Sequence, residues 1–352
     1  MEARLVLEDG KYFDGIACGA TEKVEGKMVA HTGMIGYQQA VSDPGQSGNI
    51  VCLTYPLQGN YGVNSLYEDS LSFRAKGVIM REICEHPSNW KAEDSFPNYL
   101  QKQGITGLTG VDTRAVARYL QRWGELKGSI VHAKEDPGLV AKNLKASEPV
   151  FSELVKSITV PSAYVHSSCN APEVVVIDLG VRLSFLRALE EQGKKFMVVS
   201  ADFNPQEIID LNPACVLMAG GPGNPNDAGE GMLERIRSLI PKVPLVGISL
   251  GKYVLVRVLG GEVATSFWGH RGDNIPVKDL KTGRIYATSQ NHNWQVERAS
   301  LPEQIQMTHY NMHDNSVEGF EHNVWPVWGI SFWPHYLANE KEFSPRLPEN
   351  LI

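Results

Sequence analysis

The stretch Val243-Pro-Leu-Val-Gly-Ile-Ser-Leu-Gly-Lys-Tyr-Val-Leu-Val-Arg-Val-Leu259 decides how the second half of this 352-residue chain is read. Pro244 to Gly247 has the length and apolar character of a buried strand, and Tyr253 to Leu259 continues as an apolar helix. Between them, Gly247 and Gly251 flank Ser249 at the spacing of a G-x-S-x-G elbow, the turn that lifts one side chain above a strand end. The glycines permit a cramped backbone, and the helix N-terminus favours negative charge developing at the tip. Ser249 is therefore the first candidate nucleophile, and the rest of the chain has to supply a group that makes it reactive.

Working outward, strand and helix patterns alternate. Val174 to Ile177, Phe196 to Val199 and Cys215 to Met218 read as strands, and Leu183 to Gln192, Gln206 to Leu211 and Ala228 to Leu239 as helices. That alternation implies a flavodoxin-like parallel sheet covered on both faces, with its site at the C-terminal ends of the strands. Gly220-Gly-Pro-Gly223 follows one such strand, and its amides can approach an oxyanion. As a bare turn the motif is weak, because glycine and proline serve turns without any function. Upstream, short strands at Arg4 to Leu7, Asn49 to Leu53 and Gly77 to Met80 are broken by turn residues. Helical periodicity at Phe96 to Gln103 and Arg114 to Trp123 then completes a mixed α/β N-terminal domain. Proline-rich and polar residues over 146–172 read as a linker, giving domains at 1–145 and 173–352.

Composition narrows the function classes. No stretch approaches the roughly 20 apolar residues of a membrane span. The N-terminus starts as a strand, without a charged-then-apolar leader, so a cytoplasmic location and no membrane association are expected. Lys plus Arg number 33 against 40 Asp plus Glu, a net charge of −7, with no basic tract to hold nucleic acid. The five cysteines are dispersed, without metal-ligand spacing, and read as reduced thiols; no metal is expected. Gly247 to Lys252 is one residue short of a Walker loop and has Tyr253 where the magnesium-binding hydroxyl would follow, so no nucleotide cofactor is expected.

The chain resembles the small, glutamine amidotransferase subunit family of carbamoyl phosphate synthetase. The segments that carry the likeness run from Leu7-Glu-Asp-Gly10 through Thr32-Gly-Met-Ile-Gly-Tyr-Gln38, Thr54-Tyr-Pro-Leu-Gln-Gly-Asn-Tyr-Gly62 and Gly110-Val-Asp-Thr-Arg114. They continue in Gly221-Pro-Gly-Asn-Pro225, Gly269-His-Arg-Gly272 and Ser289-Gln-Asn-His292. The resemblance implies a class I glutamine amidotransferase domain, glutamine as pocket ligand, and a large ATP-using synthetase subunit as partner. It also implies arginine or pyrimidine synthesis as the setting.

The catalytic positions depart from the family pattern. Ser249 stands where the resemblance places a cysteine nucleophile, Trp333 where it places the histidine base, and His335 where it places the orienting glutamate. A thiol is partly ionised at neutral pH, whereas a serine hydroxyl needs a base, and an indole cannot accept a proton. Two residues along a strand, His335 would point to the same face as the lost base but about 7 Å farther along. The glutamine-pocket positions implied by the resemblance are Gly45, Gly221, Gly223, Leu250, Tyr253, Asn293 and Trp294. Gly221, Gly223 and Leu250 match; Gly45 has lost a hydroxyl, and Tyr253, Asn293 and Trp294 are larger than the family's residues. The expectation is a small-subunit homologue with an inactive glutaminase site. An active glutamine-hydrolysing subunit and a serine hydrolase, with His309, His313, His322 or His335 as base, are the alternatives. In the bland reading Ser249 fills a tight turn and Trp294 and Trp333 pack.

Overall fold

A computed structural model describes residues 1–70, 72, 74–144, 151–166 and 172–334. It divides into two compact units, Met1–Glu148 and Pro149–Ile352.

In the first unit seven strands close into a barrel in the order β1-β2-β8-β6-β4-β3-β9. They are β1 (Glu2–Leu7), β2 (Tyr12–Gly19), β3 (Val24–His31), β4 (Asn49–Leu53), β6 (Gly77–Ile79), β8 (Thr106–Thr109) and β9 (Lys127–His132). The short strands β5 (Leu57–Gln58) and β7 (Glu82–Ile83) pair separately. Four helices accompany them: α1 (Tyr37–Ser42), α2 (Phe96–Lys102), α3 (Thr113–Trp123) and α4 (Pro137–Leu144). Ser95 and Asp112 accept hydrogen bonds from Asn98 N and Ala115 N, which starts α2 and α3 where the polar residues precede the apolar periodicity. Sequence patterning finds these helices and several strands but not the closure. Closure depends on β1 pairing with β9 across more than a hundred residues, which no local period encodes.

The second unit carries a ten-stranded sheet, β10-β12-β11-β13-β14-β19-β18-β17-β15-β16. Its centre is parallel: β11 (Val174–Asp178), β12 (Phe196–Ser200), β13 (Cys215–Ala219), β14 (Leu245–Ile248) and β19 (Val327–Ile330). β11 is buried throughout and almost wholly β-branched, as a strand covered on both faces requires. Helices α6 (Leu183–Glu191), α7 (Pro205–Asp210), α8 (Glu230–Leu239) and α9 (Leu250–Val258) alternate with these strands. The parallel sheet expected from that alternation is present as the core of a larger mixed one. The remaining strands β15 (Val263–Asp279), β16 (Ile285–Val296), β17 (Ile305–Asn311) and β18 (Val317–His322) are antiparallel, and β15 is bulged between Thr265 and His270. Within the stretch read as a linker, the chain forms α5 (Phe151–Ile158) and β10 (Tyr164–His166), the latter pairing antiparallel with β12. None of the described helices is long and apolar enough to cross a membrane.

The elbow rests on the close approach of α9 to the sheet. A Cβ on Gly251 would sit 2.0 Å from the Met218 carbonyl oxygen of β13, and one on Gly247 would sit 2.6 Å from backbone atoms of Gly251. Gly251→Ala is accordingly expected to lower the stability of the second unit by about 3 kcal/mol, the upper end of overpacking costs. Gly231→Ala in α8, where the new methyl meets nothing within 4 Å, should leave stability unchanged or raise it by up to about 1 kcal/mol. Urea unfolding of the two variants, compared with wild type, checks both.

Candidate functional site

Ser249 follows β14 directly and holds φ 56° and ψ −117°, a conformation that costs about 1–3 kcal/mol for a residue with a Cβ. Its N–H donates to the Ile330 carbonyl of β19, and its own carbonyl accepts from Lys252 N. The turn is the elbow read from the sequence. Its hydroxyl makes no capping bond to α9. Among the described residues no hydrogen bond ties a histidine ring to it; the rings of His270, His292, His309 and His322 are bonded elsewhere.

The matching pocket positions come together around this turn. Gly221 lies so close to Leu250 that a Cβ would be 2.5 Å from its side chain, and both Gly221 and Gly223 take positive φ, the region open to glycine. The Trp294 indole N–H donates to the Gly223 carbonyl at 3.1 Å, so this ring lies against the glycine loop. Asn293 is buried beside it, and neither atom of its amide has a hydrogen-bond partner. Gly45 belongs to the first unit, where its N–H donates to Asp43 Oδ1 at 2.9 Å in a one-turn helix.

Trp333 is 2% exposed and lies in the apolar layer with Val176, Phe185 and Ile248, not in the layer that holds Leu250 and Tyr253. The Phe185 ring meets it edge-on at 5.6 Å and the Arg182 guanidinium lies 4.9 Å from its centroid. Residues 331–334 do not continue β19 as a strand. His335 itself, like the Phe343–Ile352 tail, lies outside the described residues. His309 is buried with Nδ1 on Thr308 and its ring against Phe332, and His322 stacks on Trp325.

Next to the elbow lies a buried network that the sequence reading did not assemble. Lys252, fully buried, donates to the Val317 carbonyl and to Ser331 Oγ, both at 2.6 Å. The Tyr253 hydroxyl lies 3.0 Å from His292 Nδ1 and 3.3 Å from Ser331 Oγ. His270 lies between two carboxylates, with Nε2 3.0 Å from Asp314 and Nδ1 3.1 Å from Glu318. Burial alone would lower the His270 pKa, but its hydrogen bonds to the Asp314 and Glu318 carboxylates raise it to about 9. Burial pushes His292 down to about 3 and Lys252 down to about 8, the latter against the pull of Glu318. Glu318 resists burial through His270, His292 and Lys252 and stays ionised, well below the usual carboxylate range. The signal available in the sequence was the pair of polar segments Gly269-His-Arg-Gly272 and Gln290-Asn-His292, which have no place in a core without partners. Glu318 and Lys252 carried no such signal.

These shifts set a pH dependence. His270, raised in the folded state, contributes stability that is complete below its ordinary value of 6.5 and lost as pH rises through about 9. His292, lowered in the folded state, contributes above 6.5 and loses its contribution as pH falls toward about 3. Lys252 works against His270 between about 8 and 10.5, since its buried ammonium is relieved as it deprotonates. The thermal midpoint of the second unit is expected to peak near pH 6.5. His270→Asn should flatten the alkaline limb and His292→Asn the acid limb. Equal limbs in both variants would show that neither ring controls the profile.

A barrel domain followed by this elbow, glycine loop and bulged hairpin defines a two-domain protein whose second part is an amidotransferase fold. Residues 175–345 match the family model for glutamine amidotransferase class I, and residues 5–130 match that for the carbamoyl-phosphate synthase small chain, CPSase domain. The chain is 38% identical over 344 residues to a carbamoyl phosphate synthase small chain of Clostridium perfringens, covering 97% of this chain and 96% of that one. It is 37% identical to the Bacillus caldolyticus small chain over 100% of its own length and 96% of the relative's. With the pyrimidine-specific small chain of Bacillus subtilis it shares 38% over 95% and 91%. The chain belongs to the carbamoyl phosphate synthase small chain family.

Proposed function

We propose that this chain is a small-subunit homologue with a silent glutaminase centre. In this reading it acts as partner or regulatory subunit of a large, ATP-using synthetase that takes free ammonia as its nitrogen donor. The observation that carries the reading is Trp333: at the family's base position stands an indole, packed between Phe185 and Arg182, with no proton acceptor. A serine without a base loses its proton too rarely for amide chemistry. Reconstitution with a large subunit tests this. Carbamoyl phosphate formation is expected to depend on ammonium and not on glutamine, and the two subunits to co-purify. Glutamine-dependent synthesis at a rate comparable to that with ammonium would sink the proposal.

The strained backbone at Ser249 favours one other reading, a serine hydrolase, since this conformation presents a hydroxyl for attack. His309 is sealed against Phe332, His322 is held on Trp325 and His313 is exposed, and among the described residues no hydrogen bond joins any of the three to Ser249. A fluorophosphonate probe is therefore expected not to label wild type; labelling abolished by Ser249→Ala would favour the hydrolase.

A further inference from the structure

The polar cluster beside the elbow brings two imidazoles and a carboxylate together. His270 and His292 are register partners across β15 and β16, and Glu318 meets both from β18. One donor atom from each lies within 4.8 Å of the other two. Glu318 Oε1 is 3.1 Å from His270 Nδ1, Glu318 Oε2 is 3.9 Å from His292 Nε2, and Gln290 Oε1 is 2.8 Å from the same Nε2. Donors bound at about 2.1 Å around a tetrahedral ion stand roughly 3.4 Å apart, so these spacings bracket what such an ion requires.

Two further observations point the same way. The outer nitrogen of each imidazole is held by a polar group, His270 Nε2 by Asp314 Oδ2 and His292 Nδ1 by the Tyr253 hydroxyl, each at 3.0 Å. Metal-binding imidazoles are oriented in this way by an outer carboxylate or hydroxyl. Independently, Glu318 Oε2 is buried with no hydrogen-bond partner, while Oε1 is bonded to His270, Asn311 and Ser316. A bare carboxylate oxygen facing an imidazole nitrogen leaves room for a positive ligand between them.

We propose that His270, His292 and Glu318, with Gln290 as fourth donor, bind one divalent transition-metal ion, Zn²⁺ fitting the set best. Two imidazoles and a carboxylate suit zinc, whereas Mg²⁺ and Ca²⁺ require shells of oxygen. Lys252 and Arg271 oppose a cation here, and the opposition is met by proton release. The ion takes the place of the proton on His270 Nδ1, so binding releases that proton. The inference stands apart from the question of glutamine hydrolysis.

The test uses the whole chain, untagged and purified without chelator, its metal content measured after gel filtration. After EDTA treatment, Zn²⁺, Mg²⁺ and Co²⁺ are added separately. About one equivalent of zinc is expected to stay bound, with no comparable retention of magnesium, and Co²⁺ to give the visible absorption of a four-coordinate site. At free zinc of about 100 times Kd the folded-to-unfolded ratio should rise roughly 100-fold, read as a higher thermal midpoint. His270→Asn and His292→Asn should each abolish retention, and Asp314→Asn should weaken binding by about 10- to 100-fold. Zinc held at full stoichiometry by both folded histidine variants would place the ion elsewhere and overturn the proposal. If those variants do not fold, the wild-type titration decides: no zinc retained and no cobalt absorption overturns it.

Discussion

Replacing Glu318 by alanine is expected to cost the second unit about 3–5 kcal/mol, measured by urea unfolding in EDTA so that any bound metal is excluded. The carboxylate is fully buried and accepts from Asn311 Nδ2 at 3.0 Å while pairing with His270 at 3.1 Å. It is also the negative charge that opposes the burial of the Lys252 ammonium. Its removal leaves one cation fully buried with only neutral acceptors, Val317 O and Ser331 Oγ, and strips His270 of one of its two carboxylates. Desolvation of the remaining charge, not the loss of one contact, supplies most of the cost. Lys252→Met combined with Glu318→Leu separates the two, because it removes both charges and keeps the volume. That pair is expected within about 2 kcal/mol of wild type, closer than Glu318→Ala alone. A loss below about 1 kcal/mol in the single variant would mean that Lys252 is neutral in the folded protein at working pH.

What the sequence made legible follows from the range of the interactions involved. The parallel core was readable because each strand and helix there carries its own period: the buried run Val174–Asp178, the amphipathic α6, the apolar α9. The elbow was readable because α9 packs so closely on β13 and β14 that no side chain fits at Gly247 or Gly251, on either side of Ser249. The barrel closure and the antiparallel half of the large sheet were not, since β15 and β16 alternate weakly and their bulges shift the register. At the site, identity was legible and direction was not. Trp333 could be matched to a base position by order along the chain, yet nothing local told that its ring enters the layer of Phe185 and Arg182. The ionic network was hidden for a similar reason. Lys252, His270, His292 and Glu318 come from four elements, α9, β15, β16 and β18, and each alone reads as a surface charge or a solvated histidine.

That difference between identity and direction leads to a second large effect. Ser249→Cys combined with Trp333→His puts a thiol and an imidazole at the positions that the resemblance assigns to nucleophile and base, and it is nonetheless expected to hydrolyse glutamine at least about 10³-fold more slowly than an intact glutaminase with the same assay. The backbone N–H at 333 donates to Ser289 O, and its side chain lies in the apolar layer of Phe185, a setting that disfavours a charged imidazole. The positions that the resemblance assigns to the glutamine pocket are also engaged within the protein. Tyr253 is committed to His292 and Ser331, Trp294 to the Gly223 carbonyl, and Asn293 is buried beside them. Adding Tyr253→Gln, Asn293→Gly and Trp294→Phe to the double variant reopens these positions, so its gain should appear first as a lower KM for glutamine, with kcat still limited by the displaced base. Ammonia release measured across glutamine concentration separates the two parameters. Efficient turnover by the double variant alone would show that a single pair of exchanges silenced the centre and that the crowded pocket still admits its ligand.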